Sequence, residues 1–314
     1  MSMFQKKRVL LLGAHGFIGQ RLLQRLCQAC ADVTAIVFSS SDQLVDLKYE
    51  VIKADLANTS SITFLSSMLF DYVFNLSGYI DHTPYFKGGR SVINTHYIGL
   101  LNLLEVLDRS QLKGFVQVGS SDEYGGLSSP LSESIREAPI SPYSCAKLAA
   151  TQLIQMLAKT ENFPGVVLRF FLVYGPGQGI GRFLPQVIQG CLNNSIFPTS
   201  QGEQLRDFCY VEDIVDAMLL AATMSSAQGE VINIASGVPV TIREMIEKIH
   251  FLVGQGQPEY GQIPYRPGEN MSLFAEVSKA KSILNWVANT PLEVGLQKTI
   301  GFYKQNMVKN TFNS

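Results

Sequence analysis

Three side chains in the middle of the sequence have the types and spacing that proton transfer requires. Tyr143 and Lys147 lie in a segment of helical periodicity, which places them one turn apart on one face. A free phenol has a pKa of about 10, and a lysine ammonium one turn away favours the phenolate and lowers that pKa. Ser120 ends an apolar run typical of a buried strand. These residues predict acid–base chemistry at a hydroxyl or carbonyl, although a tyrosine–lysine pair alone also arises by chance.

A glycine pattern near the amino terminus suits the binding of a pyrophosphate. It has the form G-x-x-G-x-x-G and lies between a short apolar run and a segment of helical periodicity. Glycines at such a turn let backbone N–H groups and the positive helix end approach a phosphate. The triplet alone is a weak signal, and the flanking strand and helix strengthen it. We expect a dinucleotide to contact the turn at Gly13, Gly16, Phe17, Ile18 and Gly19.

The two sites, at their separation along the chain, resemble the extended short-chain dehydrogenase/reductase family, which comprises sugar-nucleotide epimerases, dehydratases and 4-keto reductases. The resemblance covers nearly the whole chain. It is supported by further segments in family order, namely Asp55-Leu56 and residues 94–105, 169–177, 204–213 and 265–269. Several motifs in one order are far more specific than any single motif.

The resemblance implies where a nicotinamide cofactor binds. Asp55 and Leu56 would contact the adenine, and Ser77, after the fourth strand, would lie against cofactor ribose and phosphate. Lys147 would hold the nicotinamide ribose beside Tyr143, so both residues count as cofactor-binding as well as catalytic.

The end of the second strand bears on the choice between NAD and NADP. NAD-binding units carry an Asp or Glu about 20 residues beyond the glycines. Here residues 38–41 are a phenylalanine and three serines, and Asp42 is the first carboxylate. The hydroxyls of Ser39 and Ser40 could donate to a 2′-phosphate, which favours NADP over NAD. A polar turn that touches no ligand fits the same residues.

The resemblance also implies a site for a nucleotide-diphosphate sugar. Arg206 and Arg266 would bind the diphosphate, because guanidinium groups suit phosphate oxygens. The alternative is that either arginine only pairs with Asp207 or Glu269. Glu269 resembles an acid that contacts the ribose. We expect Ser121 to contact the substrate. Leu172 occupies a position at which the family commonly has an asparagine.

Asp122 bears on the type of reaction. Family dehydratases commonly have a glutamate here, some 4-keto reductases an aspartate and epimerases an uncharged residue. The aspartate, together with the missing carboxylate at the end of the second strand, favours NADPH-dependent reduction of a 4-keto-6-deoxy sugar nucleotide. In this reaction Tyr143 would protonate the C4 alkoxide and Ser120 would orient the carbonyl. The alternatives are an NAD-dependent 4-epimerase, then a 4,6-dehydratase using Asp122 or Glu123, and, from another class, a catalytically silent dinucleotide sensor. Asp122 could equally cap a turn.

Composition bounds the other classes of function. The formal net charge is −1, so we expect no nucleic-acid partner and no attraction to a membrane surface. No run reaches the roughly 18 apolar residues that a membrane span needs. The five cysteines are few and odd in number, which favours a reducing, cytoplasmic location. Cys27 and Cys30 lie inside a predicted helix, where packing is a better explanation than zinc, so no metal is expected.

Alternating apolar runs and helical patterns predict an α/β fold, a doubly wound parallel (Rossmann) sheet. Strands are expected over residues 9–13, 33–38, 49–53, 72–76, 115–119, 166–171 and 231–235, with a short one over 263–265. Helices are expected over 17–29, 91–108 and 142–158, from Thr241 with Glu244 as a capping box, and over 291–305.

The pattern becomes irregular after the sixth strand, which predicts a smaller mixed α/β substrate domain. We expect residues 1–178 and roughly 207–235 in the dinucleotide-binding domain, 179–206 and 236–306 in the sugar-nucleotide domain, and 307–314 as a tail. Helices 91–108 and 142–158 are apolar on more than one face, and the resemblance implies a homodimer through them.

Overall fold

The computed structural model describes residues 3–38, 49–266 and 268–312, with side chains described up to residue 307. Ser39 and Ser40, which the sequence assigns to the cofactor, lie outside the described residues. Among the helices of the described part, none is long and apolar enough to cross a bilayer.

The described residues form thirteen strands and nine α-helices. The strands are β1 (Arg8–Leu12), β2 (Asp32–Val37), β3 (Glu50–Lys53), β4 (Tyr72–Asn75), β5 (Gly114–Ser120), β6 (Gly165–Phe170), β7 (Leu172–Tyr174), β8 (Ile196–Pro198), β9 (Leu205–Tyr210), β10 (Val231–Ile234), β11 (Pro239–Thr241), β12 (Gln257–Glu259) and β13 (Ser272–Leu273). The helices are α1 (Phe17–Gln28), α2 (Arg90–Ile93), α3 (Gly99–Val106), α4 (Pro142–Glu161), α5 (Phe183–Leu192), α6 (Val211–Thr223), α7 (Ile242–Val253), α8 (Ser278–Leu284) and α9 (Leu292–Phe312).

Seven parallel strands form the central sheet in the order β3-β2-β1-β4-β5-β6-β10. The strands are apolar along most of their length because helices cover both faces. Val9 and Leu11 point into a core shared with α1 and α6. Leu10 and Leu12 point to the other face, into a core shared with α3 and α4. The predicted doubly wound sheet is confirmed.

The strand order reverses at β1, which pairs with β2 on one side and β4 on the other. The crossovers that leave these strands pass on opposite faces of the sheet, so a crevice opens at their carboxyl ends. The fold therefore has one preferred place for a ligand, beside residues 13, 38 and 76.

A smaller mixed α/β region follows the sixth strand. In it β9 pairs with β7, β11 and β13, and β8 pairs with β12. Helices α5, α7 and α9 enclose a separate apolar core that includes Ile188, Ile246 and Leu296. Residues 207–210, which were expected in the dinucleotide-binding domain, belong to the sheet of this region, whereas β10 returns to the central sheet.

Three local predictions differ from the structure. Residues 263–265 form no strand, and the short strand lies at β13 instead. Helix α9 continues to Phe312, so the expected tail is helical for most of its length. The helix predicted over 91–108 contains a π-helical turn at Asn94–Ile98 between α2 and α3. The capping box at Thr241 is present, since its hydroxyl accepts a hydrogen bond from the Glu244 N–H.

Candidate active site

A cleft of about 310 Å³ opens at the carboxyl ends of β1, β2 and β4. This is the position that the reversal of strand order predicts for a ligand. Its walls include five of the predicted cofactor residues, namely Gly13, Gly16, Asp55, Leu56 and Ser77.

The glycine turn has the shape that a pyrophosphate requires. Gly13 has φ +79°, and a Cβ atom there would lie 2.5 Å from the Leu76 carbonyl oxygen. Helix α1 begins directly after Gly16 and has no acidic residue in its first turn. The positive helix end is therefore available to an anion, and the turn fits a dinucleotide.

The remaining predicted residues of this turn, Phe17, Ile18 and Gly19, pack against protein. Ile18 packs against the core beneath the sheet, and the Phe17 ring lies near Gly175. A Cβ atom on Gly19 would collide with the Gly13 carbonyl oxygen, so this glycine permits helix and strand to pack closely.

The predicted catalytic residues meet at the interface of β5 and α4. Ser141 caps α4 by accepting the Ser144 N–H at 3.1 Å, which starts the helix one residue before Tyr143. Lys147 Nζ donates to the Val118 carbonyl oxygen at 2.8 Å and so ties the helix to the strand. Ser120, at the end of that strand, lies close enough to the Tyr143 side chain to act on its pKa.

The electrostatics of Tyr143 differ from the sequence-based expectation. Tyr143 is only 5% exposed, and burial, followed by the negative charge of Asp122, raises its pKa above the ordinary value. Burial lowers the pKa of Lys147 to about 8. Lys147 Nζ lies 5.9 Å from the centre of the phenol ring. The expected lowering of the Tyr143 pKa by Lys147 was therefore wrong for the chain alone, because desolvation dominates.

Two histidines that the sequence analysis missed flank the Tyr143 ring. The His96 and His82 rings both meet it edge-on, with centroids 5.1 and 5.6 Å away. His96 donates from Nε2 to the Tyr79 carbonyl oxygen at 2.8 Å, and burial lowers its pKa to about 3. Gly78 and Tyr79 line the cleft, so His96 connects the cleft wall to Tyr143.

His82 forms an ion pair with Asp122. Its Nε2 lies 2.7 Å from Asp122 Oδ2, and this hydrogen bond raises the pKa of the imidazole. The Asp122 N–H also donates to Ser120 Oγ at 3.1 Å. Asp122 therefore lies beside Ser120, and the turn that follows β5 is capped by the Ser120 hydroxyl rather than by Asp122.

Glu123 is not available as an acid or base. It is fully buried, and its Oε2 accepts hydrogen bonds from Arg169 Nε and Thr151 Oγ1, each at 2.8 Å. Its Oε1 accepts the Ser120 N–H at 2.8 Å. A dehydratase role for Glu123 is therefore wrong, because the carboxylate faces protein on every side.

The predicted substrate residues are only partly assembled. Arg206 Nη2 lies 2.5 Å from Glu269 Oε1, so these two residues meet as an ion pair. Asp207 instead accepts the N–H groups of Ser236 and Gly237 at 2.8 and 3.0 Å. Arg266 is exposed, and its positive charge lies near enough to His82 to oppose protonation of the imidazole.

Ser121 is 4% exposed, so it has little surface for a substrate contact. Among the described residues, we find no group of three histidine, cysteine or acidic side chains placed to hold a metal ion.

Comparison with known proteins identifies the family. The sequence model of the NAD dependent epimerase/dehydratase family matches residues 9–235. The chain belongs to this family. With Tyr143, Lys147 and Ser120 assembled, it is an enzyme of the extended short-chain dehydrogenase/reductase type rather than a silent sensor.

Individual members of the epimerase/dehydratase family resemble the chain over nearly its full length. The UDP-glucuronate 4-epimerase of Thermodesulfobacterium geofontis is 27% identical over 95% of this chain and 96% of its own. The UDP-glucuronic acid 4-epimerase from Bacillus cereus, solved with UDP-glucuronic acid and NAD, is 26% identical with a TM-score of 0.85, covering 95% and 99% of the two chains. The UDP-glucose 4-epimerase of Thermotoga maritima is 25% identical with a TM-score of 0.88, covering 96% and 99%.

Proposed function

We propose that the protein is an NAD-dependent 4-epimerase of a UDP-sugar. The observation that carries the proposal is that Lys147 Nζ ties the helix of Tyr143 to the strand that ends at Ser120, which brings these three side chains together near a cleft that fits a dinucleotide. Similar proteins named as UDP-sugar 4-epimerases support it. This reaction was the second choice from sequence, after reduction of a 4-keto sugar.

The chain's own residues would act on the oxygen at C4. Tyr143 would take the proton of the C4 hydroxyl and later return it, while Ser120 holds the same oxygen by a hydrogen bond. When bound, an oxidised nicotinamide dinucleotide supplies a hydride acceptor and a positive charge that favours the phenolate form of Tyr143. The buried position of Tyr143 keeps water away from this exchange.

The cofactor that we propose is NAD. The similar structures of MoeE5 and of the Bacillus cereus epimerase were solved with NAD. The preference for NADP rested on Ser39 and Ser40, and it stays a prediction. Mass spectrometry of the nucleotide released on denaturing the purified protein distinguishes NAD from NADP.

The diphosphate would bind between Arg206 and Arg266. Arg206 is largely buried and already paired with Glu269, so a diphosphate would join an existing ion pair. The Arg266 side chain is exposed and would be accessible to the ligand. Guanidinium groups from both sides would satisfy the two phosphates.

Reduction of a 4-keto-6-deoxy sugar nucleotide is a second candidate, and one observation favours it. Net reduction takes up a proton at each turnover, whereas epimerisation returns the proton it takes. The His82–Asp122 pair is half-exposed and lies against the Tyr143 ring, so it offers a route for a proton from solvent.

One pair of assays separates the two reactions. We expect the protein, without added reductant, to interconvert UDP-glucose with UDP-galactose or UDP-glucuronate with its 4-epimer, as followed by proton NMR. Inversion at C4 without consumption of reductant establishes the epimerase. Oxidation of NADPH only when a 4-keto-6-deoxy sugar nucleotide is present establishes the reductase, and failure of both assays defeats both.

We further infer a homodimer through the helices of residues 90–106 and 142–161. Ile98 and Met156 on these helices are 36% and 45% exposed, although both are apolar. Pairing of two chains would remove this surface from water. Light scattering coupled to size exclusion tests the inference, and a mass near 34.6 kDa would contradict it.

A further inference from the structure

The carboxylate of Glu123 joins three elements of the active site. Its Oε1 accepts the backbone N–H of Ser120 at 2.8 Å, at the end of β5. Its Oε2 accepts Thr151 Oγ1 at 2.8 Å, on the helix that carries Tyr143 and Lys147. The same oxygen accepts Arg169 Nε at 2.8 Å, on β6. One side chain therefore fixes the catalytic strand relative to the catalytic helix.

The surrounding chain is shaped to admit this carboxylate. Gly119 precedes Ser120, and a Cβ atom there would lie 2.6 Å from Glu123 Oε1. The Arg169 guanidinium stacks on the Tyr124 ring, 4.6 Å from its centre. Glu123 and Arg169 are both 0% exposed, so their charged groups are bound by protein groups rather than by bulk water.

The charges in this buried set balance. Arg169 Nη2 also bonds Glu137 Oε1 at 2.5 Å, so one guanidinium lies between two carboxylates. That leaves one negative charge in excess near Lys147, the second buried cation, because Glu123 bonds Thr151, which lies one helical turn after Lys147. At low effective dielectric such a charge acts strongly on its neighbours.

We propose that Glu123 is a positioning residue of the active site, whose carboxylate fixes the catalytic Ser120 and supplies the buried negative charge that Lys147 faces. The charged or titratable groups that face Lys147 are Glu123, Asp122, His96 and Tyr143, whose ring centre lies 5.9 Å from Nζ. Among these groups, Glu123 contributes most to keeping Lys147 protonated. Burial alone would lower the pKa of Lys147 further. The proposal concerns the reaction proposed above, and part of its test is independent of turnover.

The test compares two isosteric variants that remove one carboxylate each from the same guanidinium. Glu123→Gln and Glu137→Gln both leave Arg169 with one carboxylate, and Glu123→Gln should cost more folding stability because it also alters the bonds from Ser120 and Thr151. Only Glu123→Gln removes the charge that Lys147 faces and puts an amide donor opposite Arg169 Nε and Thr151. We expect kcat to fall about tenfold to a hundredfold for Glu123→Gln and less than about threefold for Glu137→Gln, with KM little changed.

A titration of Lys147 gives the second readout and needs no substrate. The full chain is labelled with carbon-13 at lysine Cε, and the Lys147 signal is assigned by its loss in Lys147→Arg. We expect the titration midpoint, about 8 in the native chain, to fall in Glu123→Gln and to stay in Glu137→Gln. Because this signal is read without turnover, it separates failure of the proposal from failure of the assigned reaction.

Two results would overturn the proposal. One is an unchanged Lys147 midpoint in Glu123→Gln, and the other is an equal loss of kcat in both variants. If Glu123→Gln does not fold, Glu123→Asp carries the test, since it keeps the charge but is one methylene shorter. We then expect a lowered kcat with a nearly native Lys147 midpoint, and a native kcat would contradict the positioning of Ser120.

Discussion

The phenol ring of Tyr143 packs edge-on against the imidazole ring of His96, with planes at 81° and centroids 5.1 Å apart. His96 also donates a hydrogen bond to the Tyr79 carbonyl, in a segment that lines the dinucleotide cleft. One buried imidazole therefore joins the cleft wall to the phenol that we propose to be catalytic. A substitution in that wall that displaces the His96 ring should therefore also alter the position of the Tyr143 ring.

Gly78→Ala tests this connection. A Cβ atom on Gly78 would collide with the His96 ring, and the residue has φ +104°. Gly88→Ala is the matched control, because Gly88 has φ +109° and no atom within 4 Å of the added carbon. The control should cost about 1 kcal/mol from backbone strain alone, and Gly78→Ala about 1–3 kcal/mol more from overpacking.

Urea denaturation measures both costs, and turnover should fall only for Gly78→Ala. Equal destabilisation of the two variants would show that the His96 ring moves aside without cost.

His96 should make the protein sensitive to acid. Burial lowers its pKa from 6.5 to about 3. Between these two pH values, His96 is therefore protonated in the unfolded chain and neutral in the folded chain. Its contribution to stability is complete above about pH 6.5 and falls by about 1.4 kcal/mol per pH unit below that value, until the folded pKa is reached.

His96→Asn keeps a polar side chain without a titrating group. We expect it to be less stable than the native chain at pH 7.5 and to lose less stability between pH 6.5 and pH 5. The free energy of unfolding in urea at these pH values gives the comparison. Parallel pH dependences for the two proteins would mean that His96 gains a proton in the folded state.

Much of the site could be predicted from sequence because its signals are local. The helical period places Tyr143 and Lys147 on one face, and the glycine spacing marks the turn that lines the cleft. The apolar strand before Ser120 fixes the edge of the sheet at which its hydroxyl appears. The chemistry of the three side chains then follows from their types.

The partners of these residues could not be predicted in the same way, because they come from distant segments. His82 and His96 lie 61 and 47 positions before Tyr143, and the packing of the π-helical turn on α4 brings His96 to the Tyr143 ring. The direction of the Tyr143 pKa shift depends on burial, which spacing does not reveal. For Glu123 a local signal existed that the sequence analysis did not use, since Ser120-x-x-Glu123 has the spacing of a capping box.

Tyr143→Phe should remove turnover while leaving the cofactor in place. The ring and its contacts with His82 and His96 are kept, and only the hydroxyl that would exchange the proton is lost. We expect kcat to fall about a hundredfold to ten-thousandfold, with dinucleotide affinity within about twofold of the native protein.

Tyr124→Phe is the matched control for this loss of a buried hydroxyl. Tyr124 donates to Asn233 Oδ1 at 2.8 Å and is fully buried. Its removal should cost about 1 kcal/mol of stability and leave most of the turnover. A Tyr143→Phe variant as active as Tyr124→Phe would remove the phenol from the mechanism.

Arg206→Met tests whether the ion pair with Glu269 serves the diphosphate. Loss of the guanidinium removes a charge-assisted phosphate contact. It also leaves the Glu269 carboxylate uncompensated, and this negative charge repels the diphosphate. We expect the Kd for UDP, measured by calorimetry, to rise at least about tenfold. Arg109→Met is the control, because it removes a guanidinium from an exposed ion pair with Glu161, and it should leave the Kd within about twofold.

Glu269→Gln distinguishes the two roles that Glu269 could have in this pair. If the carboxylate only competes with phosphate for Arg206, its removal should tighten UDP binding. If it contacts the ribose, as the family resemblance implies, the same change should weaken binding of UDP while leaving that of inorganic pyrophosphate unaffected. An unchanged Kd for UDP in both Arg206→Met and Glu269→Gln would place the diphosphate elsewhere, because neither member of the ion pair would then face it.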